Sequence, residues 1–333
     1  MADTFNYRID HLGSLVRPAG LNRTDPDSLT AALTAAVAHQ RKLRSTVVTD
    51  GGYPYEDFRG AVLENVAGVR RTDRTGPDGL AVWAADTLPE AEGPLAVDHA
   101  RHLAGLTVIA PKVTLPAPSY LAATLESPLD VRELGEAFAE IVRAEIARLV
   151  DAGVRLVQLD NPLLLAGTAP GAAAAAFTGS LPYADALAID AAAVRLDSRP
   201  EGVRIGCFPG ATAPETVDRA AAERLFNHIP ADRWILPLRT ASAAELDLVR
   251  ALPEDRDVCF GVVDAAVADL EDIDTVLDRL DAAGELKDLE DAAISPAQGF
   301  ADIASRPLLT EPEQHAKLVL VETLARYVWG NEF

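Results

Sequence analysis

The chain has 333 residues, 49% of them hydrophobic, and a formal net charge of −21 at pH 7. The length fits one α/β barrel with insertions or two ordinary domains, and no apolar run reaches the roughly 20 residues of a membrane helix. The charge argues against nucleic acid and anionic membranes, which need clustered Lys and Arg, and two cysteines make neither a disulfide framework nor a Cys-only zinc site.

The opening MADTFNYRID lacks a basic stretch followed by an apolar one, so no signal peptide is expected and a cytoplasmic protein is the default. A first strand is expected at 8–13 (RIDHLG), a helix at 27–45, and a second strand at 46–50 (TVVTD). Residues 53–105 are too long for a simple helical crossover. Their turn signals, RTGPDGL and EAEGPL, predict a hairpin-like excursion followed by a helix. A loop of that length is read as a lid over a site or as an oligomer contact. Further strands are expected at 106–115, 154–160, 203–207, 234–238, 258–263 and 292–295. Between them, residues 129–153 read as a helix that ends at Gly153, where a C-cap glycine belongs. The alanine run at 172–176 is read as a helix start or a surface loop.

Strands alternating with helices imply a parallel sheet. Eight such units imply a single (β/α)8 TIM barrel over residues 1–333, with residues 53–105 as an insertion between the second strand and its helix, over the mouth. The runner-up, an open doubly wound sheet, would carry a GxGxxG loop after its first strand, and that motif is absent. In a barrel the site lies at the C-terminal strand ends. Those ends deliver His11, Ser14 and Arg17, then Asp50 with Tyr53, Lys112 and Thr114, and Asp160 with Asn161. They also deliver Cys207, Arg239, Asp264, Ser295 and Gln298. Such a ring, with charges of both signs, suits a small zwitterionic or acidic ligand. Asp160 and Asp50 could hold an ammonium, and Arg17, Lys112 or Arg239 a carboxylate.

Several fragments, in order, resemble the C-terminal catalytic domain of cobalamin-independent methionine synthase and its single-domain relatives. They are DHLGSLVRP (10–18), TDGG (49–52), APKVTLPAPSYL (110–121), VQLDNP (157–162), GVVDA (261–265), SPAQGFAD (295–302) and KLVLVETLARYVWG (317–330). Uroporphyrinogen decarboxylase belongs to the same wider barrel superfamily. The resemblance implies a site that binds an amino-acid thiol, with Ser14 and Asp160 at two of its contact positions. A third position, the Glu of T-D-G-E, is Gly52 here, and Glu56 is a candidate substitute.

The family binds zinc through a His-x-Cys pair, a Glu, and the Cys of a C-G-F motif. By the resemblance those positions are Ile205, Cys207, Pro237 and Gln298. Only the cysteine is a zinc donor, and zinc sites need at least three protein ligands. Cys207 is therefore read as the remnant of a metal site, or as a small buried residue at a strand end. Cys259 is read as core. The pair His99 and His102 (HARH) is read as helix surface.

Three functional readings follow. The first is an enzyme of this barrel lineage using zinc-free chemistry, either methyl or small-group transfer or lyase chemistry on an amino-acid-like or carboxylated substrate. In it Asp160 orients the substrate and Lys112 or Arg17 stabilises its anionic group. Asp50 or His11 moves the proton, and Thr114, Asn161, Glu56, Arg239 and Gln298 complete the binding set. The second is methyl transfer to a homocysteine-type thiol through a rebuilt metal set, and the third a non-catalytic binding protein. A small-molecule substrate is expected in each case. Folate use stays open, as does a homodimer or an association with an intact homologue.

Overall fold

A parallel sheet carries the architecture. In the computed structural model, residues 7–172, 176–178 and 181–331 are described. Most of the alanine run (173–175) lies outside them. The strands, in chain order, are β1 (Val47–Val48), β2 (Val66–Thr75), β3 (Ala81–Ala91), β4 (Ala110–Pro116), β5 (Leu156–Asp160), β6 (Ala176–Thr178) and β7 (Leu181–Pro182). They continue with β8 (Arg204–Phe208), β9 (Arg233–Pro237), β10 (Asp257–Val263), β11 (Ala292–Pro296), β12 (Ala301–Ile303) and β13 (Arg306–Pro307). Seven of them form one sheet in the order β1-β4-β5-β8-β9-β10-β11, and every pairing in it is parallel. Helices connect its strands from β4 onward, and the result is a TIM-barrel-like mixed α/β fold.

The expected first strand, 8–13, is not a regular strand. It makes one parallel bridge, Ile9 to Ile294. The Asp10 amide donates to the Ile294 carbonyl (3.0 Å), and the Ile294 amide donates to that of Arg8 (2.9 Å). On its other side the Thr46 amide donates to Ile9 (3.3 Å). The return bond is taken by a side chain, since the Ile9 amide donates to Thr46 Oγ1 (3.0 Å). Side chains thus satisfy groups that a ladder would have used. Gly13, at φ +63°, then turns the chain. The third expected strand, 106–115, also shrinks: Leu106 closes the helix Val97–Leu106, and β4 starts at Ala110.

Between residues 66 and 91, β2 and β3 pair antiparallel. Their turn is set by Asp78, whose carboxylate accepts the Leu80 amide (3.0 Å), and by Gly79 at φ +83°. The hairpin is tied to the body at Ala85 and Trp83, which exchange backbone bonds with Glu126.

The helix Val131–Asp151 shows why the outer layer forms. Asp130 caps it, accepting the Arg132 and Glu133 amides. Leu134, Phe138, Val142, Ile146 and Leu149 recur at helical spacing and are buried against the sheet. Each contributes roughly 1.5–3 kcal/mol of burial. Gly153, at φ +92°, ends the helix as its position predicts. The other face of the strands carries a separate apolar cluster of Leu12, Phe208, Ile235, Cys259 and Ala293. No described helix is long and apolar enough to cross a membrane.

Candidate active site

Alternation along each strand sorts side chains between the helix layer and the interior. On β4, Lys112 and Thr114 face inward, and on β5 so do Gln158 and Asp160, whose side chains are bonded to each other at 2.6 Å. On β8 the inward positions are Gly206 and Phe208. A Cβ on Gly206 would meet Gln158, and Phe208 belongs to the interior cluster.

The floor is a sealed ion cluster. Lys112 Nζ donates to Asp10 Oδ1 (2.7 Å) and to the His11 carbonyl (2.8 Å), while Arg233 lies 3.4 Å from Asp10 Oδ2. Burial pushes the Asp10 carboxyl up, but Lys112 and Arg233 outweigh it and hold it below its ordinary range. His11 Nε2 sits 2.6 Å from Ser45 Oγ. Burial lowers its pKa to about 4, so the ring is neutral at pH 7.

Above this floor two cavities meet at Gly13, Ser14, Phe58 and Asp160. The smaller, about 50 Å³, brings together Asp50, Tyr55, His99, Lys112 and Thr114 among apolar residues such as Ala61, Leu103 and Val113. The larger, about 330 Å³, is walled by Leu12, Phe58, Tyr120 and Phe208, with Gln298 and the hairpin residues Asp78 and Leu80 also at its edge. Backbone bonds fix the two shared polar residues. The Phe300 amide donates to the Ser14 carbonyl (2.8 Å), and the Ala117 amide to that of Asp160 (2.9 Å). Burial raises the Asp160 carboxyl to about 6, against the opposing pull of the Gln158 amide and of Lys112. Burial also raises Asp50.

Ser14, Asp50, Lys112, Thr114, Asp160 and Gln298 therefore converge, and other expected site residues do not. His11 lines neither cavity. Asn161 is wholly buried and donates to Ser119 Oγ (2.8 Å) and Asp190 (2.7 Å) among the helices. Arg17 clamps the 52–55 loop, donating to the Gly52 and Tyr55 carbonyls at 2.7 Å each. Glu56 lines neither cavity, and its carbonyl accepts the Ala304 amide (2.8 Å). Arg239 is ion-paired with Asp264 in a different, open groove of about 630 Å³. Gly52, at φ +69°, has no room for a side chain, because a Cβ there would collide with the Ser14 hydroxyl.

Sequence reasoning missed the aromatic residues Tyr55, Phe58, Tyr120 and Phe208. It also assigned His99 to the helix surface. The ring of His99 meets Tyr55 edge-on (centroids 5.8 Å apart, 84°) and lines the small cavity. The length of the excursion was the one signal that its residues reach the site.

Of its two readings, Cys207 fits the small buried residue near a strand end. Its side chain faces the helix layer and packs in the outer core, 1% exposed. Because side chains alternate, the interior positions beside it are Gly206 and Phe208, so Cys207 is not at a metal-facing position. Burial, with Asp190 and Asp160 nearby, drives its thiol well above its usual range. Pro237 offers no donor, and Gln298 is a poor one. Among the described residues, no group of three His, Cys, Asp or Glu side chains is placed to hold a metal ion. The residues present do not fit a zinc ion.

No family model matches the chain. It is 25% identical to two Bacillus subtilis (strain 168) proteins described as uncharacterized, YxjH and YxjG, over 97% of this chain and 95% of each. Among solved structures it is similar to a B12-independent methionine synthase from Shewanella sp. W3-18-1 in complex with selenomethionine (TM-score 0.76, 18% identity, 97% of both chains). It is also similar to a putative vitamin-B12 independent methionine synthase from Listeria monocytogenes (TM-score 0.75, 21% identity, 98% of both). A methyltransferase from Methanosarcina mazei is more distant (TM-score 0.56, 11% identity, 99% of this chain and 97% of that one). These likenesses establish the fold.

Proposed function

On the fold of the cobalamin-independent methionine synthases, we propose a divergent enzyme that acts on a small amino-acid-like substrate without that lineage's zinc. The reaction class is methyl or small-group transfer, or lyase chemistry. One observation carries the reading. Ser14 and Asp160, the two positions that the resemblance gives to the amino-acid head, are the polar residues common to both cavities. The amino-acid ligand in the Shewanella structure supports the same ligand class here.

In this reading Asp160, ionised, pairs with the substrate ammonium. Asp50 is the proton-transfer group, because burial brings its carboxyl toward a working range. Lys112 is spent on Asp10 and stiffens the floor. His11, neutral and sealed, has no proton-transfer role. The segment 8–13 serves as the eighth stave of the barrel, supported by its bonds to Ile294 on one side and Thr46 on the other. The β2–β3 hairpin serves as the cover, supported by Asp78 and Leu80 at the cavity edge.

That no donor set is found among the described residues counts against thiol methyl transfer through a rebuilt metal site, and it also favours a second reading, a binding protein without turnover. Calorimetric titration with methionine and homocysteine tests the shared premise. An amino acid is expected to bind the wild type and to lose at least about tenfold in affinity in Asp160→Asn. Equal binding by both proteins would sink the reading. Group transfer or cleavage of a bound amino acid then separates the enzyme from the binder.

A further inference from the structure

We infer that the larger cavity selects a primary amine with an aromatic body rather than a thiol. This rests on the reading of Ser14 and Asp160 as the amine anchor. Asp160 and Phe208 are register partners on β5 and β8, and both line the cavity. The strand position beside the anchoring carboxylate is thus filled by a phenyl ring. That ring packs with Leu12, Ile235, Cys259 and Ala293 in one apolar cluster. The Cys259 thiol is itself raised to about 12 by burial. The other wall is aromatic as well, since Phe58 and Tyr120 pack with centroids 5.3 Å apart at 40°.

A space of about 330 Å³ is at the lower end for small-molecule sites. It holds one ring and a short tether. Edge-on and offset contacts with three aromatic side chains favour a ring over a flexible chain of equal area. Of the charged residues that line the cavity, Asp160 is buried, whereas Asp78, Asp302 and Arg306 are exposed; the buried carboxylate sets the charge of the head group, because it calls for a cationic partner.

The test is calorimetric titration of the full chain at pH 7.5 with 2-phenylethylamine, L-phenylalanine, 3-phenylpropionate and L-homocysteine. At least one aromatic amine is expected to bind, and 3-phenylpropionate is not. Phe208→Ala should weaken the amine at least about tenfold and Phe208→Leu by less than about threefold, with melting curves confirming that both variants are folded. Binding of homocysteine without binding of either aromatic amine would overturn this inference and leave the amine anchor standing. So would an aromatic amine indifferent to Phe208→Ala. If no amine binds, the anchor reading falls and this inference with it.

Discussion

The side chains of Asp160 and Phe208 stand next to each other on parallel strands and face the same cavity. One supplies a buried charge and the other a buried ring. Cys207, a single residue earlier, faces the opposite side of the sheet.

Ligand binding should depend on pH through Asp160. Its carboxyl is raised to about 6 in the free protein, and only its ionised form pairs with an ammonium. Affinity for an amine should be full above pH 7 and fall about tenfold per unit below pH 6. A titration between pH 5 and 8 checks this, and a flat profile would remove Asp160 from the contact.

The same carboxyl weakens the fold at neutral pH. A buried acid with a raised pKa binds more protons folded than unfolded, so its contribution worsens as pH rises from about 4 to about 6. Asp160→Asn keeps an oxygen for the Gln158 amide, now 2.6 Å from the carboxylate, and removes the charge. The variant should gain about 1–3 kcal/mol at pH 7 and little at pH 4. Urea unfolding at the two pH values reads the difference. Asp190, also raised to about 6 by burial, titrates in both proteins and cancels in the comparison.

The floor should be intolerant of single charge removal. Lys112 and Asp10 are both essentially inaccessible and 2.7 Å apart. Lys112→Met leaves the buried Asp10 carboxylate with only its longer ion pair to Arg233 (3.4 Å) and should cost about 3 kcal/mol. Adding Asp10→Asn should recover part of that loss, because the two changes share one interaction. Additive costs in denaturant melts would contradict the pairing.

Gly52→Glu, which restores the residue of the resembling family, should not restore a contact. The site has φ +69° and no space beside Ser14. The variant should lose more than about 1 kcal/mol of stability and bind no amine more tightly. A stable variant with improved affinity would refute the geometry.

Both thiols should be silent. Cys207 is 1% and Cys259 0% exposed, and burial raises both pKa values. Native protein should react with a thiol reagent only at the rate of unfolding, and added zinc should leave the melting temperature unchanged. A zinc-dependent rise would reopen metal chemistry.

Much of this was legible in sequence. Seven strand runs announced themselves by short apolar stretches between helical patterns, and Gly153 marked a helix end. The segment 8–13 misled because RIDHLG has strand composition, while Thr46 and Asp10 take over its hydrogen bonds with side chains. The orientation of Cys207 was illegible for a different reason. In VRIGCF the only polar residue, Arg204, stands at the strand's start, and the positions after it are apolar or glycine on both faces, so alternation does not tell inside from outside, and an error of one residue exchanges the faces. Ser14 and Asp160 were named from the strand ends and again from the resemblance, and both line the cavities. Phe58, Tyr120 and Phe208 were not named, because lone aromatic residues read as core until neighbouring elements bring them together.

The bridge between Ile9 and Ile294, with Gly13 pressed against Gly299, has a consequence for biosynthesis. The wall that holds Ser14 is completed by residues nearly 300 positions downstream. During translation Ser14 waits for almost the entire chain, and the candidate site is among the last parts of the molecule to be completed. A nascent chain stalled before residue 294 would carry Asp160 and the Lys112–Asp10 floor without the strand that pairs with Ile9 or the Gly299 contact beside Ser14.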